Sequence, residues 1–402
     1  RDGTPSARTP RERRVSRFPS CGALTLLLLA DAHAAPPQVA IGLEAGTGID
    51  TNPQRFEATG DDADHWSRWT AAVESLGARL AIGLIPTSGT ALNFSALAVG
   101  KKFAGRKASG DADVAVAAAN SRFDVRLGSR PMLASMLLTY YDVFERDVFS
   151  AGRSLSRDFR TTDAALALTI LESETSRVST TFGHRWFHYK PAASRGFRGE
   201  HAGISLARSI ALGNDEDTSS LELEFEYHAN HRRYDAPARI EVCAPESAPG
   251  QPCEAMTSLP RSDFFHQATI EATYSDEHIF SARYDLHVND STSFGESLVR
   301  HRLQLEATEG LPWDVVVTAK LILQWNQFLD PLLVSGDVGT FVTIEDEGRN
   351  AVLLHATHDL GKSWVIEARY AYYGNEFSPD ALRFRRQLAM LGLVYNFRND
   401  AP

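Results

Sequence analysis

Three cysteines and four methionines in 402 residues are too few for a disulfide-dense scaffold. Proline (18) and glycine (28) show no fibrous or low-complexity excess, and 43% hydrophobic content is too high for a disordered chain. No apolar run approaches the roughly 18–20 residues that a membrane-spanning helix requires. The longest candidate is Gly22–Ala30, with nine residues. A polytopic helical membrane protein is therefore excluded. Basic residues (41) are outnumbered by acidic ones (51), and the net charge of -10 argues against nucleic acid as the main partner.

The first 34 residues have the composition of an address. Arg11, Arg13, Arg14 and Arg17 form a positive segment, Gly22–Ala30 a short apolar one, and Ala32-His33-Ala34 a small-residue cleavage site. This is the pattern of a secretory signal peptide, with cleavage expected after Ala34 or Ala35. Six arginines and three acids leave with it, so the formal charge of the remainder becomes about -13. Cys21 precedes the apolar stretch, which is not where a lipid-modified cysteine would stand. Cys243 and Cys253 remain, flanking a Pro-rich stretch. In an exported chain this pair is expected to form a disulfide that pins a loop. Residues 35–402 are expected to form a single domain.

From Gln38 to Phe397 apolar and polar residues alternate. Leu221, Leu223, Phe225, Tyr227 and Ala229 interleave with Glu222, Glu224, Glu226 and His228. A strand puts these two sets on opposite faces, whereas a helix would scatter the glutamates all round. The same pattern recurs over 280–289, 299–308, 313–326 and 364–373. These strands run to about 10–14 residues, longer than the five or six usual in soluble sheets. Trp313 and Trp325 bracket one oily face; Trp364 opens another, which closes on Tyr370 and Tyr372. Aromatic girdles at two bilayer interfaces produce that arrangement.

Sixteen strands are predicted, near 38–48, 69–85, 91–103, 111–127, 132–145, 158–171, 177–189, 197–211, 219–232, 263–275, 279–290, 297–308, 313–327, 348–359, 363–376 and 382–397. Short connections alternate with longer ones at 49–68, 146–157, 233–262 and 328–347. The predicted fold class is all-β: a closed antiparallel transmembrane β-barrel of about 16 strands, within a range of 14–18. Closure follows because an open sheet edge in hydrocarbon is prohibitively costly.

The last strand carries the sharpest family signal. Ala389, Leu391, Leu393, Tyr395 and Phe397 alternate and finish on an aromatic. This resembles the C-terminal signal of Gram-negative outer-membrane β-barrels of porin-like size. The resemblance implies outer-membrane lipid and the barrel-assembly machinery as partners, with Tyr395 and Phe397 as the assembly signal. It departs from the family pattern in that Arg398 to Pro402 follow the aromatic. A second resemblance is to barrels that export exopolysaccharide, although their periplasmic helical repeats are absent from this sequence.

The residues expected to line a pore are Glu222, Glu224, Glu226, Glu271, Arg283, Asp285, Arg300, Arg302, Lys320 and Arg369, together with Glu44, Arg79, Arg185, Glu306 and Glu367. Acids crowd at 222–226 and 271, bases at 283 and 300–302. Two readings stand: facing walls that set up a transverse field, or mutual salt bridges that hydrate a wall. Loop 233–262 is the candidate plug or constriction. Asp61, Asp62, Asp64 and His65 could offer oxygen ligands to Ca²⁺, but read more simply as a solvated acidic loop. His228-Ala-Asn-His231 is a faint hydrolase motif with no partner to support it. Gly46 and Gly48 suit strand bends better than a phosphate loop. No catalytic residues, metal or cofactor are expected. The leading function is a monomeric or homo-oligomeric channel for small polar solutes. The alternatives are a barrel component of an export or envelope machine, and a non-conducting anchor that presents surface loops.

Overall fold

A computed structural model describes residues 35–52, 58–59, 70–87, 89–105, 113–128, 132–145, 149–150, 153–154, 158–173, 175–190, 195–212, 219–241, 254–294, 296–328, 350–374, 382–383 and 385–399. The expected signal peptide, the Cys243–Cys253 pair and the Asp61–His65 cluster lie outside these residues. Sixteen long strands form one closed barrel. They are β1 (Ala35–Asp50), β2 (Ala71–Thr87), β3 (Thr90–Ala104), β4 (Val114–Arg126), β5 (Met132–Glu145), β6 (Phe159–Ser173), β7 (Ser176–Tyr189), β8 (Phe197–Ala211), β9 (Ser220–Glu241), β10 (Glu254–Ser275), β11 (Ile279–Ser291), β12 (Leu298–Leu311), β13 (Val315–Phe328), β14 (Asn350–Asp359), β15 (Trp364–Gly374) and β16 (Arg385–Arg398). Each strand pairs antiparallel with its sequence neighbours, and β1 pairs with β16. Among the described residues no helix is long and apolar enough to cross a membrane; this chain crosses with strands.

Period-two alternation decides which face is which. Leu43, Leu76, Leu166, Phe182, Ile204, Phe225, Ile270, Leu305 and Leu391 are large, apolar and exposed, and they share the outer wall. The inner wall is identified by contacts that skip a strand. Asp163 on β6 meets His201 on β8 at 3.1 Å. Glu44 on β1 meets Arg369 on β15 at 3.4 Å. Side chains converge only on the concave side of a closed sheet, so these residues point inward. At the turn end Trp364 and Tyr395 pack on the outer wall with ring centroids 4.9 Å apart. Toward the loop end His301 stacks on Trp325 at 4.8 Å. These are the aromatic borders of an oily band.

Two expectations are corrected. Loop 233–262 is mostly strand, since β9 and β10 each run for 22 residues and only 242–253 lies outside the described set. The register breaks around Pro237. Proline donates no ladder bond, so the pairing survives it as an irregularity. Trp313 does not open a strand. It sits in the Pro312–Asp314 turn with φ 67°, Asp314 follows at φ 58°, and the ring is 85% exposed. Left-handed turn residues match the twist of the flanking strands, so β13 starts only at Val315.

The seam is fastened at both ends. At the loop end the Arg386 guanidinium donates to both carboxylate oxygens of Asp50, and both side chains are buried. At the turn end Asn399, just past the terminal aromatic, accepts from the Val39 amide through its side chain and donates to the Pro37 carbonyl. The residues that depart from the family pattern therefore take part in closure. Breaking a buried pair leaves a charge uncompensated, at a cost of about 3–5 kcal/mol. Arg386→Ala is expected to lower the free energy of unfolding measured by urea titration by that amount, with Arg386→Lys intermediate. Loss of heat-modifiable gel mobility at lower temperature would report the same weakening.

Candidate functional site: the inner wall of the barrel

The turn-side half of the inner wall is built from paired charges. Glu224 lies directly opposite Glu271, which lies opposite Arg283. Arg283 reaches Glu271 at 3.3 Å and Asp285 at 3.0 Å. Arg177 on β7 crosses β8 to Glu224 at 3.4 Å, with Glu222 at 3.9 Å. Lys320 approaches Glu306 at 3.8 Å. Round the other side Arg79 pairs with Glu44 at 3.0 Å, and Arg369 with Glu367 at 2.8 Å. Arg185 holds Asp163 at 2.8 Å. The acids of β9 and β10 thus adjoin Arg283 of β11 and neutralise it in part. The two walls are neighbours rather than opposites, which corrects the facing-wall expectation.

Burial divides the sequence-derived residues. Glu222 and Arg79 keep about half of their side-chain surface exposed (52% and 51%). Asp285 and Arg300 are buried, as is Glu367. Asp285 accepts from Thr269 at 2.7 Å, and Arg300 donates to Asn326 at 2.6 Å.

Alternation counting alone missed the loop-side half. Tyr141, Phe159, Phe187, Phe197 and Tyr234 stand on five consecutive strands, β5 to β9. Successive ring centroids are 5.6, 5.3, 5.1 and 5.4 Å apart. Arg232 sits over Phe197 at 4.9 Å and Phe265 at 4.2 Å, and Arg261 over Tyr234 at 4.1 Å. The detectable signal was aromatics on the polar parity of their strands, such as Phe187 two residues after Arg185. The distal part of β9 also reaches past β10. The Phe294 amide donates to the Arg239 carbonyl at 3.0 Å, and Arg239 pairs with Glu296. Inner side chains at this end, including Asp263, Asn289, Leu298 and Tyr373, are nearly inaccessible.

Glycines let long side chains cross the wall. A Cβ on Gly183 would stand 2.5 Å from Nε2 of His201, the atom that meets Asp163. His228 and His231 point to opposite faces. His231 bonds Ser262 at 2.8 Å on the outer wall, with no hydrogen-bonded carboxylate on its ring among the described residues. Among those residues no cluster of His, Cys, Asp or Glu has metal-binding geometry.

Gly183→Val is expected to push His201 off Asp163 and cost about 1–3 kcal/mol by overpacking. Gly89→Ala, where a Cβ meets only open space, is expected to be neutral. Urea titration of the two variants checks both.

No protein-family model matches the sequence, and no curated protein matches it. Solved structures do match. A loop-deletion mutant of OmpT, an outer membrane protein of Vibrio cholerae, is 12% identical over 90% of this chain and 99% of its own, with a TM-score of 0.45. OccAB1 of Acinetobacter baumannii is 10% identical over 90% and 97%, with a TM-score of 0.44. OpdQ of Pseudomonas aeruginosa is 8% identical over 91% and 100%, with a TM-score of 0.40. These are likenesses of fold and nothing finer. With a closed sixteen-strand sheet, an oily outer wall and a charged inner one, the chain is an outer-membrane-type β-barrel of porin-like size.

Proposed function

We propose that this barrel is a passive channel for small polar solutes, constricted at its loop end. One observation carries the reading: the inner wall bears ion-paired side chains of both signs that stay accessible toward the turn side, whereas toward the loop side it carries the aromatic row with the Arg232 and Arg261 guanidinia over its rings. A barrel of about sixteen strands is wide enough for an aqueous lumen. Fixed charges along it would orient polar solutes and set the preference between anions and cations. The residues proposed to line the route are Glu222, Glu224, Glu226, Glu271, Arg283, Lys320 and Arg369 directly. Asp285, Arg300 and Arg302 act from behind or beside them.

The test is conductance of the purified protein in planar bilayers. Step-wise, ohmic openings are expected, and they should grow when Phe187 or Tyr234 is replaced by alanine. Protein that inserts and never conducts would instead favour the anchor reading. A deletion strain that loses a secreted polymer but keeps normal solute uptake would favour export. Exchanging Glu222, Glu224 and Glu226 for glutamine is expected to move the reversal potential under a salt gradient toward anion preference. Neutralising Arg300 and Arg302 should move it the other way. Unchanged potentials in both variants would remove these residues from the route.

A further inference from the structure

We propose that the outer wall across β6–β9, at the loop end of the oily band, binds the phosphate of an outer-leaflet lipid. The inference depends on the outer wall facing lipid and is independent of whether the lumen conducts. It starts from strand register. Arg198 on β8 lies directly opposite Arg233 on β9, and Arg160 on β6 lies directly opposite His188 on β7. Trp186 stands between them, opposite Arg198 on one side and Thr162 on the other. All these side chains have the parity of the exposed apolar residues Leu166, Phe182 and Ile204, so they point outward. Like charges placed directly opposite across a strand pair repel, and unpaired cations are disfavoured on a lipid-facing wall.

The nearby acids answer only part of this charge. Asp142 takes Arg160 at 2.9 Å and Lys190 at 2.8 Å, and Asp158 takes Lys190 at 2.6 Å. Glu200, one row below, takes Arg233 at 3.4 Å and has His184 at 3.8 Å. Asp235 is exposed beyond Arg233. Arg198 and His188 have no side-chain partner among the described residues. Arg160 and Arg233 keep 50% and 58% of their side-chain surface exposed, so their forks are open to a further acceptor.

The level selects the occupant. Phe182, Ile204 and Tyr227 continue the wall as an exposed apolar surface toward the turn side. Trp186, its ring tilted against His184 with centroids 4.3 Å apart, is the residue type that sits at the headgroup border. A phosphate held between Arg198 and Arg233 would receive charge-assisted hydrogen bonds, while its acyl chains lay on that apolar surface. Free phosphate would gain the first and not the second, so the site is assigned to a phosphorylated lipid.

Native mass spectrometry of the full chain in detergent tests this, with added diphosphoryl lipid A, its fully dephosphorylated counterpart, and inorganic phosphate as competitor. The wild-type protein is expected to retain the diphosphoryl lipid and not the dephosphorylated one. The Arg198→Gln/Arg233→Gln variant should lose retention by about tenfold or more. Glu200→Gln, which removes the acid from Arg233, should increase it. Heat-modifiable gel mobility verifies that each barrel is folded; if the double variant fails that check, Arg198→Gln alone and Glu200→Gln decide. Equal retention of both lipids, full displacement by inorganic phosphate at equimolar concentration, or unchanged retention in the arginine and glutamate variants would overturn the proposal.

Discussion

In hydrocarbon an unpaired backbone amide or carbonyl costs several kcal/mol, because no water stands ready to replace the missing partner. The rest of this structure follows from that constraint. It forces β16 back onto β1, over a register running from Ala40 opposite Arg398 to Asp50 opposite Leu388. It places the Asp50–Arg386 pair and the Asn399 contacts at the two ends of the seam, where a sheet would otherwise start to fray. Closure then creates an inside, and with it a second solvent environment for every strand.

The two environments are used differently along the barrel axis. Toward the turn side the inner wall is a mesh of ion pairs, each close enough to a neighbour of opposite sign to be held in place while still touching water. Arg177 spanning β8 to reach Glu224, and Arg369 spanning β16 to reach Glu44, show how curvature shortens distances that would be too long on a flat sheet. Toward the loop side the same face turns aromatic, with guanidinia lying over the rings. A cation above a ring face gains electrostatic attraction from it, and Arg232, almost wholly buried, lies over two such rings. The outer wall repeats the contrast more weakly: apolar over most of its height, then histidine, tryptophan and arginine at one border.

Strand number, strand length and the identity of the two faces were legible in the chain. Alternation at 221–229 or 299–308 admits one side-chain arrangement on a pleated sheet, and the assignment survives small boundary errors because the period is two. Boundaries near proline and tight turns were less legible. The strand expected over 219–232 continues as β9 to Glu241, past Pro237 and through a register break. Trp313 reads as a girdle residue, yet it occupies a left-handed turn position that its aromatic character does not announce.

By itself the sequence determined that one face of each strand is oily and the other charged, and hence that the sheet must wrap on itself. It could not say which charges meet. Contacts between Glu271 and Arg283, or across two strands between Asp163 and His201, depend on register and curvature, which are properties of the closed cylinder rather than of any segment. The aromatic row and the opposed Arg198 and Arg233 were invisible for the same reason. Their members are separated by up to about forty residues within each neighbouring pair of strands, and only the ladder of backbone hydrogen bonds brings them level.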